Sequence, residues 1–269
     1  MIHYTEALAG LIADIVDRVD GLSFIDVSKL LVFARLGRTE AAGAYATCHC
    51  LNLPDGEPGY YFWRDRRTGV ITRRTECFVV KTPEVWMGER QLDYLISFSL
   101  PRFCDQVIEG ARKAKFYGRC EPWLAKLDTV VHELYHIAPQ HAGLRKFESC
   151  DGRLPRSHGP QFLEEVAWFV RAYLATRPDP RRYDFLRHNF RSLVRRDGGL
   201  LATTFTNFPS YPQRFAQRLD FQPTPDDVKI LPVKPSTQPV RYNERDLEIR
   251  VFTAQGARRL RRRELDSVA

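Results

Sequence analysis

The sequence lacks any long run of apolar residues. No stretch approaches the roughly 18 consecutive apolar residues that a membrane-spanning helix requires. Residues 1–20 mix acidic and basic side chains into an amphipathic pattern, so they also lack the apolar core of a secretory signal. These absences argue against a membrane-spanning or an exported protein. We therefore expect a cytoplasmic protein that has no membrane partner.

The sequence also lacks a second pair of closely spaced cysteines beside Cys48 and Cys50. The six cysteines are scattered, and without a secretory signal reduced thiols are the default state. Cys48-His49-Cys50 together with Cys77 could in principle form a second zinc site. Structural zinc usually uses cysteine pairs about two to four residues apart, however, and no second pair exists here. We interpret these cysteines as ordinary buried thiols on a strand.

The charges are unbalanced, and the prolines are concentrated late in the chain. The formal net charge is +8, which favours polyanionic partners over basic ones. Beyond about residue 220 the chain becomes rich in proline, and residues 258–263 carry a run of arginines. Such segments are typical of linkers and exposed tails. We predict one domain over residues 1–200, followed by a Pro-rich linker and basic C-terminal extension over 201–269.

Periodic patterns predict both helices and strands. Apolar residues recur at helical spacing in three segments, which are residues 4–20, 122–137 and 161–176. Aromatic and β-branched residues alternate with polar ones in two others, residues 43–53 and 59–80, which predict antiparallel strands or hairpins. Residues 92–100 place Leu, Tyr, Ile, Phe and Leu on one face before Pro101, which predicts a further strand.

The residues that point most directly to chemistry are His132-Glu133-Leu134-Tyr135-His136. Two histidines at i and i+4 share one face of a helix and can bind one metal ion. Zinc lowers the pKa of a bound water to about 7, and a neighbouring carboxylate can take its proton during attack on a peptide carbonyl. This pattern thus supplies two ligands, His132 and His136, and a general base, Glu133.

The alternative is a chance match, or two core histidines that neighbouring groups satisfy. The geometry of the helix argues against that reading. At about 100° per residue, both histidines lie roughly 140° from the middle of the apolar face of the helix. They therefore form a separate face of that helix.

A catalytic zinc ion needs a third protein ligand. The main candidate is His158, in Ser157-His158-Gly159-Pro160-Gln161-Phe162, just before the next predicted helix. Glu164 and Glu165 on that helix are the alternative, although both could simply lie on a solvated face. His141 is too close to His136 for the extended zincin pattern.

These motifs carry a family resemblance. HELYH followed by HGPQF resembles SprT-like zinc peptidases, whose second motif is His-Gly-x-x-aromatic. The stretch from Ile96 to Phe103, through His132 to Pro139, to Asp151-Gly152-Arg153-Leu154 looks still more like the phage metallopeptidase group of bacteria and their viruses. The resemblance covers roughly residues 1–200. It implies a bacterial or phage-encoded protein with Zn²⁺ on His132, His136 and His158 and with Glu133 as base.

The resemblance also implies a fold. We expect an α+β, zincin-like minimal metallopeptidase with an N-terminal helix, a small, mainly antiparallel sheet over residues 43–100 and the HExxH active-site helix packed on it. Residues 92–100 would be the edge strand to which a peptide substrate adds as a further strand. The C-terminal CxxC zinc ribbon of many bacterial SprT-like proteins is absent, so DNA targeting by that module is not implied.

The expected activity is hydrolysis of peptide bonds in a protein or peptide substrate. The alternative is a catalytically weak zinc protein that binds nucleic acid or a partner through its arginine-rich C-terminal half. Arginines from Arg181 to Arg196 alternate there with aromatic residues that could stack on bases. Another amide or an ester could also be the bond that is cleaved.

Three further residues have weaker roles in this reading. Asp128 lies one turn before His132 and could accept the second N–H of its imidazole ring, although a surface aspartate is the simpler interpretation. Arg153 and Arg156 flank the expected site and could polarise the substrate carbonyl, although exposed loop arginines are common.

Overall fold

The structure is a computed structural model of the chain. It describes residues 1–37, 43–51, 62–65, 68, 71–75, 78–81, 84–107, 111–118, 121–140, 143–145, 158–159, 161–207, 215–217, 229–231 and 241–260.

Five α-helices lie in these described residues. They are α1 (Tyr4–Arg18), α2 (Ala111–Tyr117), α3 (Pro122–Tyr135), α4 (Phe162–Ala175) and α5 (Phe190–Asp197). The helices predicted over residues 4–20, 122–137 and 161–176 are thus observed as α1, α3 and α4. Helix α3 begins at Pro122, a residue whose fixed φ suits the first helical position. No helix in this part of the chain is both long and apolar enough to cross a membrane.

The strands are short and belong to several sheets. They are β1 (Ile2–His3), β2 (Leu30–Gly37), β3 (Ala46–Cys50), β4 (Phe62–Arg64), β5 (Ile71–Thr75), β6 (Phe78–Lys81), β7 (Glu84–Met87), β8 (Arg90–Gln91), β9 (Tyr94–Pro101), β10 (Leu200–Phe205), β11 (Phe215–Gln217), β12 (Lys229–Leu231), β13 (Arg241–Tyr242), β14 (Leu247–Thr253) and β15 (Gly256–Arg259). Mixed helices and sheets agree with the α+β expectation at this coarse level.

The sheet beside α3 has the order β2-β9-β3. Strand β9 runs parallel to β2 and antiparallel to β3, so this sheet is mixed and not mainly antiparallel. The prediction that residues 92–100 form the edge strand is wrong, because β9 lies in the centre and β3 at the edge. Ser97 and Ser99 on β9 are both buried, and their hydroxyl groups contact His49 Nε2 at 3.0 Å and the Ala44 carbonyl at 3.1 Å.

Helix α3 is held between this sheet and another helix. It packs against α4 on one side and against β3 on the other. Leu127, Val131 and Leu134 on α3 are fully buried in the main apolar core, which also takes in the apolar face of α1. The HExxH residues therefore occupy a rigid element beside the edge of a sheet.

A second sheet joins the two ends of the described chain. Its order is β1-β10-β14-β15, with β1 parallel to β10 and β10 antiparallel to β14. Gly199 precedes β10 with a φ of 144°, and a side chain there would lie 2.3 Å from the Phe252 carbonyl oxygen. Only a glycine allows this close approach of the two strands.

The second sheet corrects the expectation of a linker and an exposed tail. Strands β14 and β15 belong to the predicted extension, yet they pair with β10 and with each other. The division at residue 200 stays a prediction, but residues 247–259 are part of a folded sheet. Most of the Pro-rich segment, and the arginines after residue 260, lie outside the described residues.

Candidate metal centre

Three histidines converge at the end of α3. His132 lies in the last turn of α3, His136 is the capping residue that follows this helix, and His158 comes from the segment just before α4. A possible ligand atom of each lies within 4.8 Å of those of the other two. The Nε2 atoms of His132 and His158 are 3.2 Å apart. The structure thus brings together the three residues that the sequence predicts as ligands, and the cluster could hold a metal ion.

The ring of Phe162 packs against all three imidazole rings. It is the first residue of α4 and is 1% exposed. Its ring centroid lies 4.8 Å from that of His132, 5.0 Å from that of His136 and 4.4 Å from that of His158. The aromatic residue of the second motif therefore packs under the cluster and limits the movement of each ring.

The cluster favours neutral imidazoles. Burial, followed by the proximity of His136, Lys113 and His158, lowers the pKa of His132 to about 2. Burial, followed by the proximity of His158, lowers the pKa of His136 to about 4. The pKa of His158 is also lowered, first by burial and then by Lys113. Neutral rings have a nitrogen lone pair available for a metal ion.

Glu133 points toward the edge strand. Its side chain is buried, and one carboxylate oxygen accepts a hydrogen bond of 2.7 Å from the backbone N–H of Cys48 on β3. Burial raises the pKa of Glu133 to about 7, while the Cys48 N–H and the nearby Lys113 and Arg35 partly oppose that increase. The expected base is therefore a carboxylate in an enclosed site, positioned by a backbone donor.

A cleft of about 450 Å³ connects these groups. One wall is β3 with the residues just before it, and the other carries the three histidines and Glu133. Lys113, Gln106 and Thr129 also line this cleft. Gln106 is 4% exposed and donates a hydrogen bond of 2.8 Å to the Thr129 hydroxyl.

Lys113 is a site residue that the sequence did not indicate. Its ammonium group contacts Asp128, which also accepts a hydrogen bond of 2.7 Å from the Tyr117 hydroxyl. Asp128 therefore orients a lysine at the cleft, and it is neither a surface residue nor the acceptor for His132. The Nδ1 atom of His132 is buried and has no hydrogen-bond partner within the described chain. Lys113 lies among other basic residues of α2, so no sequence signal distinguishes it.

The alternative ligands lie elsewhere. Glu165 accepts a hydrogen bond of 2.6 Å from the Tyr135 hydroxyl, and Glu164 is exposed on α4. The only group of potential metal ligands in the described ranges is His132, His136 and His158. Cys48 and Cys50 belong to no such group there. Four further predictions concern residues outside the described part of the chain, which are Cys77, His141, Arg153 and Arg156.

The aromatic residues of the arginine-rich segment are already engaged. Phe185 is buried against Tyr4, with ring centroids 5.1 Å apart. Tyr183 stacks on Trp123 at 5.1 Å, and Arg187 covers the same ring at 4.6 Å. Two of the aromatic rings expected to stack on bases thus have partners within the protein.

Comparisons with known proteins give no relative. No model of a known protein family matches the chain, and searches of curated proteins and of solved structures find no match either.

Proposed function

We propose that this protein is a zinc-dependent metallopeptidase with Glu133 as general base. The observation that carries the proposal is the convergence, in one cleft, of three imidazoles and a buried carboxylate beside a strand edge. This is the arrangement expected from the resemblance to SprT-like and phage metallopeptidases. His132, His136 and His158 would hold the ion, which leaves its fourth position open.

The donor set fits zinc. Zinc is bound by imidazole nitrogens at about 2.0–2.1 Å, so two ligands of a tetrahedral ion lie about 3.3 Å apart. The His132 and His158 nitrogens are separated by 3.2 Å. A neutral imidazole keeps one N–H and has one unprotonated nitrogen, so each ring can bind the ion without first losing a proton. When bound, zinc supplies Lewis acidity that polarises a carbonyl and lowers the pKa of water.

The protein's own groups account for the remaining requirements. Glu133 can accept a proton from the attacking water and transfer it to the leaving amine. Lys113 adds positive charge to the same cleft, where negative charge develops on the carbonyl oxygen. Because Glu133 is enclosed, few bulk water molecules compete with the attacking water for hydrogen bonds to its carboxylate.

Strand β3 provides a binding surface for an extended peptide. Within the described part of the chain it pairs with β9 alone, and its outer edge borders the cleft. A peptide that adds to this edge gains main-chain hydrogen bonds with modest side-chain selectivity. The substrate role expected of residues 92–100 is thus transferred to β3 in this proposal.

Substitution of Glu133 by glutamine tests the proposed activity. The amide keeps the shape of the side chain but cannot accept a proton, so zinc content and the folded state should persist while hydrolysis falls by at least ~100-fold. The measurement is cleavage of fluorescein-labelled casein and of a peptide library by the zinc-loaded chain. Metal content is determined by atomic emission on the same samples.

Glu6→Gln is the matched control, since Glu6 is an exposed carboxylate on α1. It should cleave like the wild type. If Glu133→Gln retains near wild-type turnover on any cleaved substrate, Glu133 is not the base.

A further inference from the structure

The hydrogen-bond direction along β3 alternates. In an antiparallel pair every second residue bonds to the partner strand, and the residues between them direct N–H and C=O away from it. The Tyr45 carbonyl accepts from the Ser99 N–H at 2.8 Å, and the Leu51 N–H donates to the Asp93 carbonyl at 2.9 Å. The odd-numbered residues therefore bond to β9.

The even-numbered residues Ala46 and Cys48 thus face the open edge of β3. Their Cα partners on β9 are Phe98 and Ile96 at the positions that are not hydrogen bonded. The Cys48 N–H follows this direction, because it donates to Glu133 on α3 and not to β9. One of the outward donors of the edge strand is therefore already used by the expected base.

We infer that the backbone amide of Cys48 is a positioning group for Glu133, and that this contact fixes where along β3 a bound peptide is cut. The inference rests on the proposed peptidase function. A backbone amide on a strand moves less than a side chain would, so it holds one carboxylate oxygen while leaving the other available to water.

The register follows from the donor that Glu133 occupies. In an uninterrupted ladder the Cys48 N–H would bind one carbonyl oxygen of the added peptide strand. Because Glu133 takes that N–H, this one substrate carbonyl gains no hydrogen bond from Cys48 and lies beside the carboxylate. The outward N–H of Ala46 remains available to hold the peptide next to it. We therefore place the scissile carbonyl at Cys48 and an anchoring hydrogen bond at Ala46.

Proline substitutions separate the two roles. Proline removes an N–H and is tolerated at an edge strand where that N–H faces outward. Cys48→Pro should keep its zinc and lower kcat at least ~30-fold relative to Cys48→Ala, which keeps the amide, with KM changed less than ~3-fold. Ala46→Pro should instead raise KM at least ~5-fold with a smaller change in kcat. A merely structural effect would change both parameters alike in both variants.

Hydrogen exchange provides a test that does not depend on the proline variants folding. In zinc-loaded Glu133→Ala the exchange of the Cys48 amide should accelerate at least ~10-fold, because its acceptor is lost. The Leu51 amide, which is bonded to β9, should exchange as in the wild type and serves as the internal control.

The outcomes separate this inference from the proposed function. Unchanged exchange at Cys48 would overturn the positioning contact, even in an active peptidase. Equal kcat losses in Cys48→Pro and Ala46→Pro would overturn the register, while the Glu133→Gln result still decides the base. Absence of hydrolysis by the zinc-loaded wild type would remove the proposed function and the register together, but not the contact measured by exchange.

Discussion

His132, His136 and His158 reach one point from two parts of the chain. Two of them are fixed by α3, while His158 depends on a short segment that Phe162 supports. Each ring approaches both of the others, with centroid separations of 4.9 to 5.1 Å. Loss of one ring should therefore leave an incomplete set of ligands.

The purified protein should contain about one zinc per chain, and His132→Ala, His136→Ala or His158→Ala should each lose most of it. Glu165→Ala should keep the metal, because Glu165 is bonded to the Tyr135 hydroxyl. Metal analysis after dialysis against a weak chelator gives the measurement. Full occupancy in His158→Ala together with loss in Glu164→Ala or Glu165→Ala would reverse the assignment of the third ligand.

Local sequence spacing predicts only part of this site. His132 and His136 could be predicted because a helix places i and i+4 on one face. The contact between Cys48 and Glu133 could not, since it joins residues 85 positions apart through the pairing of β3 with β9. Lys113 could not be predicted for a similar reason, because its place at the cleft depends on the buried carboxylate of Asp128.

At the scale of elements, a buried lysine joins α3 to the turns that precede α5. Lys126 is 1% exposed, and its ammonium group donates to the carbonyl oxygens of Leu186 at 2.8 Å and His188 at 2.9 Å. Burial lowers its pKa from 10.5 to about 8, although Cys104 and Asp105 oppose that decrease. The charged form is therefore less favourable in the folded protein than in the unfolded chain.

The sign of the pH dependence follows from this lowered pKa. Between pH about 8 and about 10.5 the unfolded chain binds more protons at Lys126 than the folded protein does, so this residue's contribution to stability rises with pH. Below pH about 8 both states are protonated, and the cost is constant. Relative to Lys126→Met, the wild type should gain up to roughly 3 kcal/mol across that interval.

Urea denaturation of both proteins at several pH values measures this difference. Lys115→Met, which removes an exposed lysine of α2, is the control and should show no such trend. A difference between wild type and Lys126→Met that stays flat from neutral to alkaline pH would contradict the prediction.

The helices were easier to predict from the sequence than the order in which the strands pair. The three long helices follow from apolar residues at helical spacing, and each is observed within a few residues of its predicted ends. The order of the strands does not follow from such patterns. Strand β9 is central because it pairs with β2 on one side and with β3 on the other, and this long-range pairing leaves no local signal in the sequence.

At the scale of the whole molecule, the second sheet ties the late part of the chain to the core. Phe252 on β14 is 1% exposed and belongs to the same apolar cluster as α1. Phe252→Ala should lower the free energy of unfolding by about 3–5 kcal/mol. Gln255→Ala, in the exposed turn between β14 and β15, should change it by less than about 0.5 kcal/mol.

A chain that ends at residue 240 extends this test, because it lacks both β14 and β15. It should unfold at a clearly lower temperature than the intact protein, as followed by circular dichroism. If it melts at the same temperature, residues 241–269 are separable from the core, as expected for part of the extension predicted over residues 201–269.

Binding of nucleic acid stays a prediction, and the structure suggests what form it would take. Arg191 and Arg195 are exposed on α5, whereas Phe185 and Tyr183 already contact other rings. We expect phosphate contacts without base stacking, so binding to single-stranded DNA should be independent of sequence and weaken as salt rises. Replacing each arginine by glutamine should reduce the log–log salt slope by about 0.7.

The measurement is fluorescence anisotropy of labelled DNA across a salt series, with the wild type and both variants. Binding at low salt no better than that of an uncharged control protein would exclude a nucleic-acid partner. The zinc peptidase proposal does not depend on that outcome.

The pairing of β1 with β10 has a consequence for the order of events during synthesis. Ile2 and His3 on β1 pair with Leu200 and Leu201 on β10, and β14 (Leu247–Thr253) pairs with the other edge of β10. At about 5–20 residues per second, β1 leaves the ribosome roughly 10–40 s before its partner strand exists. All three histidines emerge within that interval. The three ligands of the proposed zinc site are therefore all present on a nascent chain whose closing sheet has still to be made.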